Sequence, residues 1–291
     1  MKSKIHKNVV FFGSSKFSII ILEGIYRELN IEFIVVKNFE SEMNKIAKKL
    51  NIKTVLFSEI TLDLFKKIDF AVVASFGAII KEDFLKTCNF INVHPSYLPQ
   101  LRGATPIQST ILQGLDKTGI SIIEMNKGMD EGDILFQKKI SIKDNLNYKE
   151  LETKLAIDSI EPLIYCISNF SDITPIVQDS TLSSYCYVSD FSRDKIKISW
   201  NRNADYIERL IRAAYPAWCT FNGMNININK ATVVNIKSEK PSYIFRESKD
   251  LLVGCKDFYL NIESIQKEGG KYITGREFKN GISNINIFKF D

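Results

Sequence analysis

Two patterns of apolar and polar positions alternate along the first half of the chain, short continuous apolar runs and apolar residues at helical spacing. Short, nearly continuous apolar runs predict buried strands at residues 9–12, 33–36, 54–57 and 70–74. Helical spacing of apolar residues predicts helices over residues 17–29, 40–50 and 60–67. Strands that alternate with helices predict an α/β fold, a Rossmann-like, mostly parallel sheet with helices on both faces.

The second half has a different pattern. A helical stretch over residues 148–170 is followed by a Ser-rich extended connection, residues 171–192, and by a helix over residues 204–214. Short β-like runs then follow at residues 225–228, 231–236, 251–253, 258–265 and 285–290, with turns at Asn222-Gly223 and Gly269-Gly270. This pattern predicts a small C-terminal β-barrel, OB-like, and a division into residues 1–177, a linker 178–192, and residues 193–291.

Composition indicates an ordinary soluble protein. The chain has 291 residues, of which 45% are hydrophobic and 25% are charged. Because no apolar run approaches the roughly 20 residues that cross a bilayer, we expect a cytoplasmic protein without a membrane partner. The five cysteines are scattered and form no C-x-x-C pair, so we expect free, buried or half-buried thiols and no metal.

The charge is uneven. Residues 193–291 contain 17 Lys and Arg against 11 Asp and Glu, a net of +6, whereas residues 1–192 contain 22 against 23, a net of −1. A basic module beside a near-neutral one is typical of a polyanion-binding appendage, although Lys-rich proteins also show it by chance.

Candidate chemistry lies near residues 90–135. Asn92 and His94 stand two residues apart at the end of an apolar run, so a strand there would direct both side chains to one face, at the sheet edge where α/β proteins bind ligands. The Pro-punctuated loop after His94 and the Gly-rich loop around Asp130 would form the walls of a pocket. The turn after Gly13 is not G-x-G-x-x-G, which disfavours a nicotinamide cofactor.

Five short motifs in this region resemble one family. They are Asn92-Val93-His94-Pro95-Ser96, Leu98-Pro99 with Arg102-Gly103, Pro106-Ile107-Gln108, Thr118-Gly119-Ile120 and Met129-Asp130-Glu131-Gly132-Asp133-Ile134. Together they resemble the 10-formyltetrahydrofolate-dependent formyltransferases. The segment 266–281, QKEGGKYITGREFKNG, is similar to one near the C-terminus of the members that act on tRNA.

The resemblance implies a transferase that moves a formyl group from 10-formyltetrahydrofolate to the amino group of methionyl-tRNA, with residues 1–177 as the catalytic domain, 193–291 as a tRNA-binding domain, and a monomeric enzyme. By the same resemblance, Asn92 would stabilise the oxyanion and His94 would relay the proton, since imidazole titrates near neutral pH. Asp130 would support the imidazolium. Ser96, Tyr97, Leu98 and Pro99 would line the folate pocket, and Arg102 would either contact the ligand or anchor its loop.

One departure leaves alternatives open. The tRNA-acting members carry a long basic loop after the second strand, whereas here Val36 leads through Lys37-Asn38-Phe39 directly toward the next helix. An amino-sugar nucleotide is therefore an alternative acceptor. A catalytically inactive folate- or nucleic-acid-binding relative is the non-enzyme alternative, which the presence of Asn92, His94 and Asp130 disfavours.

Overall fold

The computed structural model describes residues 5–142, 145–282 and 289–291. The chain forms two compact units. The first contains Met1–Pro106, Asp116–Ile142 and Glu150–Cys186, and the second contains Ile107–Leu115, Lys143–Lys149 and Tyr187–Asp291. The predicted division at residues 177 and 193 stays a prediction about which parts of the chain fold and function independently.

A seven-stranded sheet is the centre of the first unit. Its strands run in the order β3-β2-β1-β4-β5-β7-β8. They are β1 (Ile5–Gly13), β2 (Leu29–Val36), β3 (Thr54–Leu56), β4 (Phe70–Ala74), β5 (Asn89–His94), β7 (Lys117–Glu124) and β8 (Ile134–Ser141). The pairings from β3 to β5 are parallel, and β7 pairs antiparallel with both β5 and β8. The predicted mostly parallel α/β sheet is confirmed. A separate pair, β6 (Arg102–Gly103) with β9 (Tyr185–Cys186), is parallel.

Helices α1 (Lys16–Ile25), α2 (Glu42–Lys49) and α3 (Glu82–Leu85) lie between these strands along the chain. Helix α4 (Pro106–Gln113), which belongs to the second unit from Ile107 onward, precedes β7, and α5 (Tyr148–Ser168) follows β8. The predicted helix over 17–29 ends early because Leu29 already begins β2. In the described part of the chain, no helix is both long and apolar enough to cross a membrane.

The predicted helix over residues 60–67 is wrong. This stretch contains only the 3-10 turn Leu62–Phe65. Phe65 is its one fully buried residue, and its ring lies 6.0 Å from the ring of Phe90 and 5.5 Å from that of Phe84. Since a single turn is enough to bury one aromatic ring, tertiary packing outweighs the helical spacing of the sequence.

The second unit contains a separate antiparallel sheet. Its strands run in the order β10-β11-β13-β12, with β14 paired to β13. They are β10 (Ala217–Phe221), β11 (Met224–Lys237), β12 (Leu252–Gly254), β13 (Phe258–Lys267) and β14 (Tyr272–Thr274), and α6 (Ala204–Ala214) and α7 (Gly275–Gly281) accompany them. The apolar face of α6 joins the core of this unit through Ile207, Leu210 and Ile211.

Two details of this sheet bear on the predicted strands. The turn Asn222-Gly223 is confirmed, because Phe221 pairs with Met224 and both turn residues have positive φ, 51° and 75°. Residues 225–236, predicted as two strands, form the single strand β11, whose register shifts near Lys230 accommodate the irregular pattern. The predicted strand over 285–290 lies mostly outside the described residues.

Candidate active site

Strand β5 presents Asn92 and His94 at its carboxyl end. It is held between the parallel strand β4 and the antiparallel strand β7, where His94 pairs with Ser121. The intervening Val93 is buried on the opposite face, as strand alternation requires. Asn92 remains half-buried, whereas His94 is only 4% exposed. The predicted pair therefore converges on one site.

Asp130 brings the parts of the site together. Its Oδ1 accepts a hydrogen bond from Asn92 Nδ2 at 2.9 Å, and its Oδ2 accepts one from the backbone N–H of Gly103 at 2.8 Å. The same Oδ2 lies 3.5 Å from His94 Nδ1. Asp130 adopts a left-handed φ of 53°, a conformation that costs a non-glycine residue about 1 to 3 kcal/mol and persists only where its surroundings hold it. The three residues predicted to act together are therefore in contact.

The second ring nitrogen of His94 has a partner that defines its protonation. Nε2 lies 2.9 Å from the carbonyl oxygen of Leu101. A carbonyl oxygen can only accept, so Nε2 carries the proton and donates it in this hydrogen bond. In the neutral imidazole, Nδ1 is then the unprotonated nitrogen, and it faces Asp130.

The loop Ser96, Tyr97, Leu98 and Pro99 is fixed largely from within the protein. Ser96 Oγ donates to the carbonyl of Gln100 at 2.7 Å, and the side chain of Leu98 is buried in a small apolar cluster. Tyr97 is half-buried, with Lys139 Nζ 4.8 Å from its ring centroid. The half-buried Tyr97 and Pro99 side chains and the backbone are therefore the parts of this loop open to a ligand.

Polar side chains on the neighbouring antiparallel strands support that loop from below. Ser121 Oγ donates to the Ser96 carbonyl at 2.7 Å and accepts from the N–H of Leu98 at 3.1 Å. Gln137 Nε2 donates to the Leu98 carbonyl. Because backbone groups on both sides of Tyr97 are held in this way, the shape of the loop is set before any ligand binds.

Arg102 acts as an anchor of its loop. It is buried, and its Nε and Nη2 donate to Gln178 Oε1 at 3.1 and 2.8 Å. Nη1 donates to Tyr185 Oη at 3.3 Å and lies 3.6 Å from Glu131 Oε1. Of the two roles left open by the sequence, these contacts favour anchoring, through side chains and not through backbone carbonyls.

Two polar residues at this site are absent from the sequence-based prediction. Gln178 is buried and bonds the backbone of the Asp130 loop, and Ser184 Oγ accepts from the N–H of Leu101 at 2.9 Å. Both lie in the stretch 171–192, whose sequence predicts only an extended connection. The sole local signal was the composition of this stretch, which has six serines with a single Gln and a single Pro. Among the described residues, no cluster of His, Cys, Asp or Glu is suited to hold a metal ion.

Comparisons with known proteins show the family of this chain. Residues 26–165 match the model of the family "Formyl transferase", and residues 191–283 match "Formyl transferase, C-terminal domain". The methionyl-tRNA formyltransferase of Thermodesulfovibrio yellowstonii is 31% identical over 297 residues, which cover 94% of this chain and 95% of that relative. The motif-based resemblance is thereby confirmed.

Solved structures show the same fold. HypX from Aquifex aeolicus, in complex with tetrahydrofolic acid, matches with a TM-score of 0.70 at 14% identity, over 97% of this chain and 48% of that chain. An N-formyltransferase from Helicobacter canadensis, in complex with folinic acid and dTDP-3-aminofucose, matches with a TM-score of 0.66 at 19% identity, over 90% of this chain and all of that chain (100%). With both of its parts matched and a full-length relative above 30% identity, this chain belongs to the formyl transferase family.

Proposed function

We propose that this formyltransferase moves the formyl group of 10-formyltetrahydrofolate to the α-amino group of methionyl-tRNA, with Asn92, His94 and Asp130 as its catalytic residues. The observation that carries the proposal is the single carboxylate of Asp130, which contacts Asn92 Nδ2, His94 Nδ1 and the Gly103 N–H at once. Formyl transfer to an amine needs an oxyanion donor and a proton acceptor in one place, and this arrangement supplies both.

Asn92 is the oxyanion donor in this proposal. Attack by the amine on the formyl carbon produces a tetrahedral carbon with a negatively charged oxygen. The Asn92 amide carries two hydrogens, and its bond to Asp130 uses one of them and fixes the plane of the group. The other hydrogen is then held in advance for the oxyanion, without reorganisation during the reaction.

Asp130 and His94 together accept the proton that the amine loses. The side chain of His94 is 5% exposed, whereas that of Asp130 is 15% exposed. Asp130 is thus the more accessible member, and the imidazole lies deeper. The proton taken from the amine is shared between the Asp130 carboxylate and Nδ1 of the His94 ring. It is later donated to the departing folate nitrogen. No covalent enzyme intermediate is required.

The folate donor would bind along residues 96–99. The half-buried Tyr97 and Pro99 side chains would form the wall, and the buried Leu98 side chain packs beneath the loop. Hydrogen bonds from Ser121 and Gln137 hold the loop in shape, which lowers the entropic cost of binding a flexible cofactor-like substrate.

The acceptor would be bound through the basic second unit, whose residues 193–291 carry a net charge of +6. Exposed Arg193 and Lys197 flank the ring of Trp218, at 4.7 and 5.2 Å from its centroid. A basic and aromatic cluster of this kind suits the phosphates and bases of RNA. We further propose that the enzyme acts in the cytoplasm, since its acceptor is an aminoacylated tRNA, and that it acts as a monomer.

The test is formyl transfer by the purified protein from 10-formyltetrahydrofolate to methionyl-tRNA, beside a panel of amino-sugar nucleotides. His94→Ala should lower turnover by roughly 10² to 10⁴-fold while folate binding is retained. The other histidine offers a matched control, because His6 is exposed and His6→Ala should leave turnover unchanged. Near wild-type turnover of His94→Ala would contradict the proposed roles, and transfer only to a sugar nucleotide would contradict the proposed acceptor.

A further inference from the structure

Gln178 uses both ends of its buried side-chain amide to bind the two loops of the site. Its Nε2 donates to the carbonyl oxygens of Asp130, at 2.8 Å, and of Gly132, at 2.7 Å. Its Oε1 accepts from Nε and Nη2 of Arg102. Both amide hydrogens and the carbonyl oxygen are therefore occupied by the protein itself, and the side chain is held in one orientation.

On one side, Gln178 holds the turn that carries the catalytic carboxylate. Asp130 has a left-handed backbone, which persists only where neighbouring groups hold it. At Gly132 a side chain would collide with the backbone carbonyl of Glu124, so the turn lies directly against the end of β7. The Gln178 amide fastens the two carbonyls on either side of Glu131 and so fixes the direction of the Asp130 side chain.

On the other side, Gln178 orients Arg102, which lies between two residues that contact the catalytic groups. Leu101 accepts the hydrogen bond of His94 Nε2, and Gly103 donates to Asp130 Oδ2. Nε and Nη2 of Arg102 donate to the same Gln178 oxygen and so fix the orientation of the guanidinium, while the Arg102 backbone is held by its pairing with β9. Gln178 thereby couples the loop that positions His94 to the loop that positions Asp130.

We propose that Gln178 is a positioning residue of this enzyme, which sets the distance between Asp130 Oδ2 and His94 Nδ1 by holding both loops. The inference rests on the proposed catalytic roles of Asp130 and His94. It assigns Gln178 no contact with folate or with the acceptor, because its polar atoms are occupied by Asp130, Gly132 and Arg102.

The variant Gln178→Glu separates the two ends of the amide. A carboxylate of the same shape still accepts from Arg102, but it cannot donate, and it places negative charge against the carbonyls of Asp130 and Gly132. Displacement of catalytic groups by about 1 Å typically costs on the order of 10²-fold in rate. We expect kcat to fall by roughly that factor while the KM values for folate and tRNA change less than about threefold, since binding groups are untouched. Gln178→Met, which fills the volume and removes all the bonds, should behave alike.

The experiment measures kcat, the KM values for folate and tRNA, single-turnover rates and thermal unfolding. The variants are Gln178→Glu, Gln178→Met, Asp130→Asn and the double variant Gln178→Glu with Asp130→Asn. Gln113 at the exposed end of α4 supplies the matched control, Gln113→Glu. Because Gln178 acts through Asp130, the double variant should be within about threefold of Asp130→Asn alone.

Three results would overturn the inference. The first is a wild-type kcat for Gln178→Glu. The second is that Gln178→Glu lowers the rate of Asp130→Asn by the same factor as it lowers the rate of the wild type. The third is that both Gln178 variants fail to fold while Gln113→Glu folds, which would make Gln178 a residue of the fold only. Unchanged turnover of Asp130→Asn is a different outcome, because it removes the proposed catalytic role itself.

Discussion

His94 Nε2 lies 2.9 Å from the carbonyl oxygen of Leu101, so one ring nitrogen of the proposed proton acceptor is occupied by a hydrogen bond to the backbone. Leu101 itself has a left-handed φ of 58°, and its N–H is held by Ser184. The loop thus aims a carbonyl into the site at a fixed angle. The tautomer of His94 follows from backbone geometry and leaves Nδ1 for proton exchange with Asp130.

The first prediction concerns that tautomer. In protein labelled with nitrogen-15, the neutral imidazole of His94 should show a protonated Nε2 and an unprotonated Nδ1, because a carbonyl oxygen cannot donate to Nε2. Heteronuclear NMR of the ring distinguishes the two nitrogens by chemical shift. His6, the exposed histidine, should show averaged tautomers in the same spectrum. Observation of the Nδ1–H tautomer at His94 would contradict the proposed direction of proton transfer.

The second prediction concerns coupling among the three catalytic residues. Asn92→Ala and Asp130→Ala should each lower kcat by about 10² to 10³-fold or more, since each removes a group that meets the developing charge. Their losses should not add, because Asp130 also orients Asn92 through the 2.9 Å hydrogen bond. Single-turnover rates of the single and double variants measure this. Strict additivity would show that the residues do not share one transition state.

Local patterns predicted the parts of the site that lie on regular structure. Asn92 and His94 could be placed because strand alternation fixes the side of the sheet to which each residue points, and Asp130 was placed by the resemblance of its motif. The prediction of a helix over residues 60–67 was wrong because packing with distant residues decides the structure of that segment. Burial of the Phe65 ring among other aromatic rings determines the conformation there. The spacing of apolar residues within the segment does not show which distant rings surround Phe65.

The supporting contacts could not be predicted, because they join distant segments without any periodic signal. Arg102 and Gln178 are 76 positions apart, and Leu101 and Ser184 are 83 apart. In each pair, one residue is Leu101 or Arg102 and the other lies in the stretch after α5. The sequence of that stretch predicts only an extended connection. Side-chain hydrogen bonds of this kind follow from the completed fold, in which β6 and β9 lie side by side.

The third prediction concerns the thiols. None of the five cysteines forms a disulfide, and burial raises the pKa of Cys88 to about 11 and those of Cys166 and Cys255 to about 12. Burial also raises the pKa of Cys219. At pH 8 the thiolate fraction of these groups should be roughly 10²-fold or more below that of an ordinary thiol, so alkylation of the native protein should be correspondingly slow.

Timed alkylation followed by mass spectrometry of peptides measures this reactivity at each site. The rate should rise about tenfold for each unit of pH between 8 and about 11, because below the pKa the thiolate fraction grows in that proportion. In urea all five thiols should react quickly, which serves as the control. Rapid modification of Cys166 or Cys255 in the native protein at pH 8 would contradict their burial.

The fourth prediction concerns the basic cluster of the second unit. If Arg193 and Lys197 contact tRNA phosphates, the double variant Arg193→Gln with Lys197→Gln should bind tRNA more weakly. The slope of log affinity against log salt concentration should fall by roughly 1 to 2, since fewer counterions are released on binding. Folate binding should not change. Lys66→Gln with Lys86→Gln is the matched control, because both lysines are exposed partners of carboxylates in the first unit. An unchanged slope in the Arg193 and Lys197 variant would remove these residues from the interface.

The connection after β2 is short. Five residues, 37–41, lead from Val36 to α2, which begins at Glu42 with Ser41 as its N-cap. Lys37 Nζ is bonded to the Gly77 carbonyl at 2.8 Å, and Asn44 Nδ2 donates to the Phe39 carbonyl at 2.5 Å. The first residue and the middle of the connection are therefore tied to the protein, and its one cation, Lys37, is engaged by the Gly77 carbonyl. The connection has neither the length nor the free cations of a loop that could separate the end of an acceptor stem.

The last prediction concerns discrimination between acceptors. An unpaired end of the acceptor stem matters most to an enzyme that must insert a loop there, and this chain has five residues in that place. We therefore expect it to tolerate a paired first base pair in methionyl-tRNA better than a loop-bearing relative does. Competition between two methionyl-tRNAs that differ only at that base pair measures the preference, with a loop-bearing member of the family assayed in parallel. A strong preference for the unpaired tRNA would show that another segment of this chain reads the end of the stem. Absence of transfer to either tRNA, with transfer to an amino-sugar nucleotide, would show instead that the short connection belongs to an enzyme with a smaller acceptor.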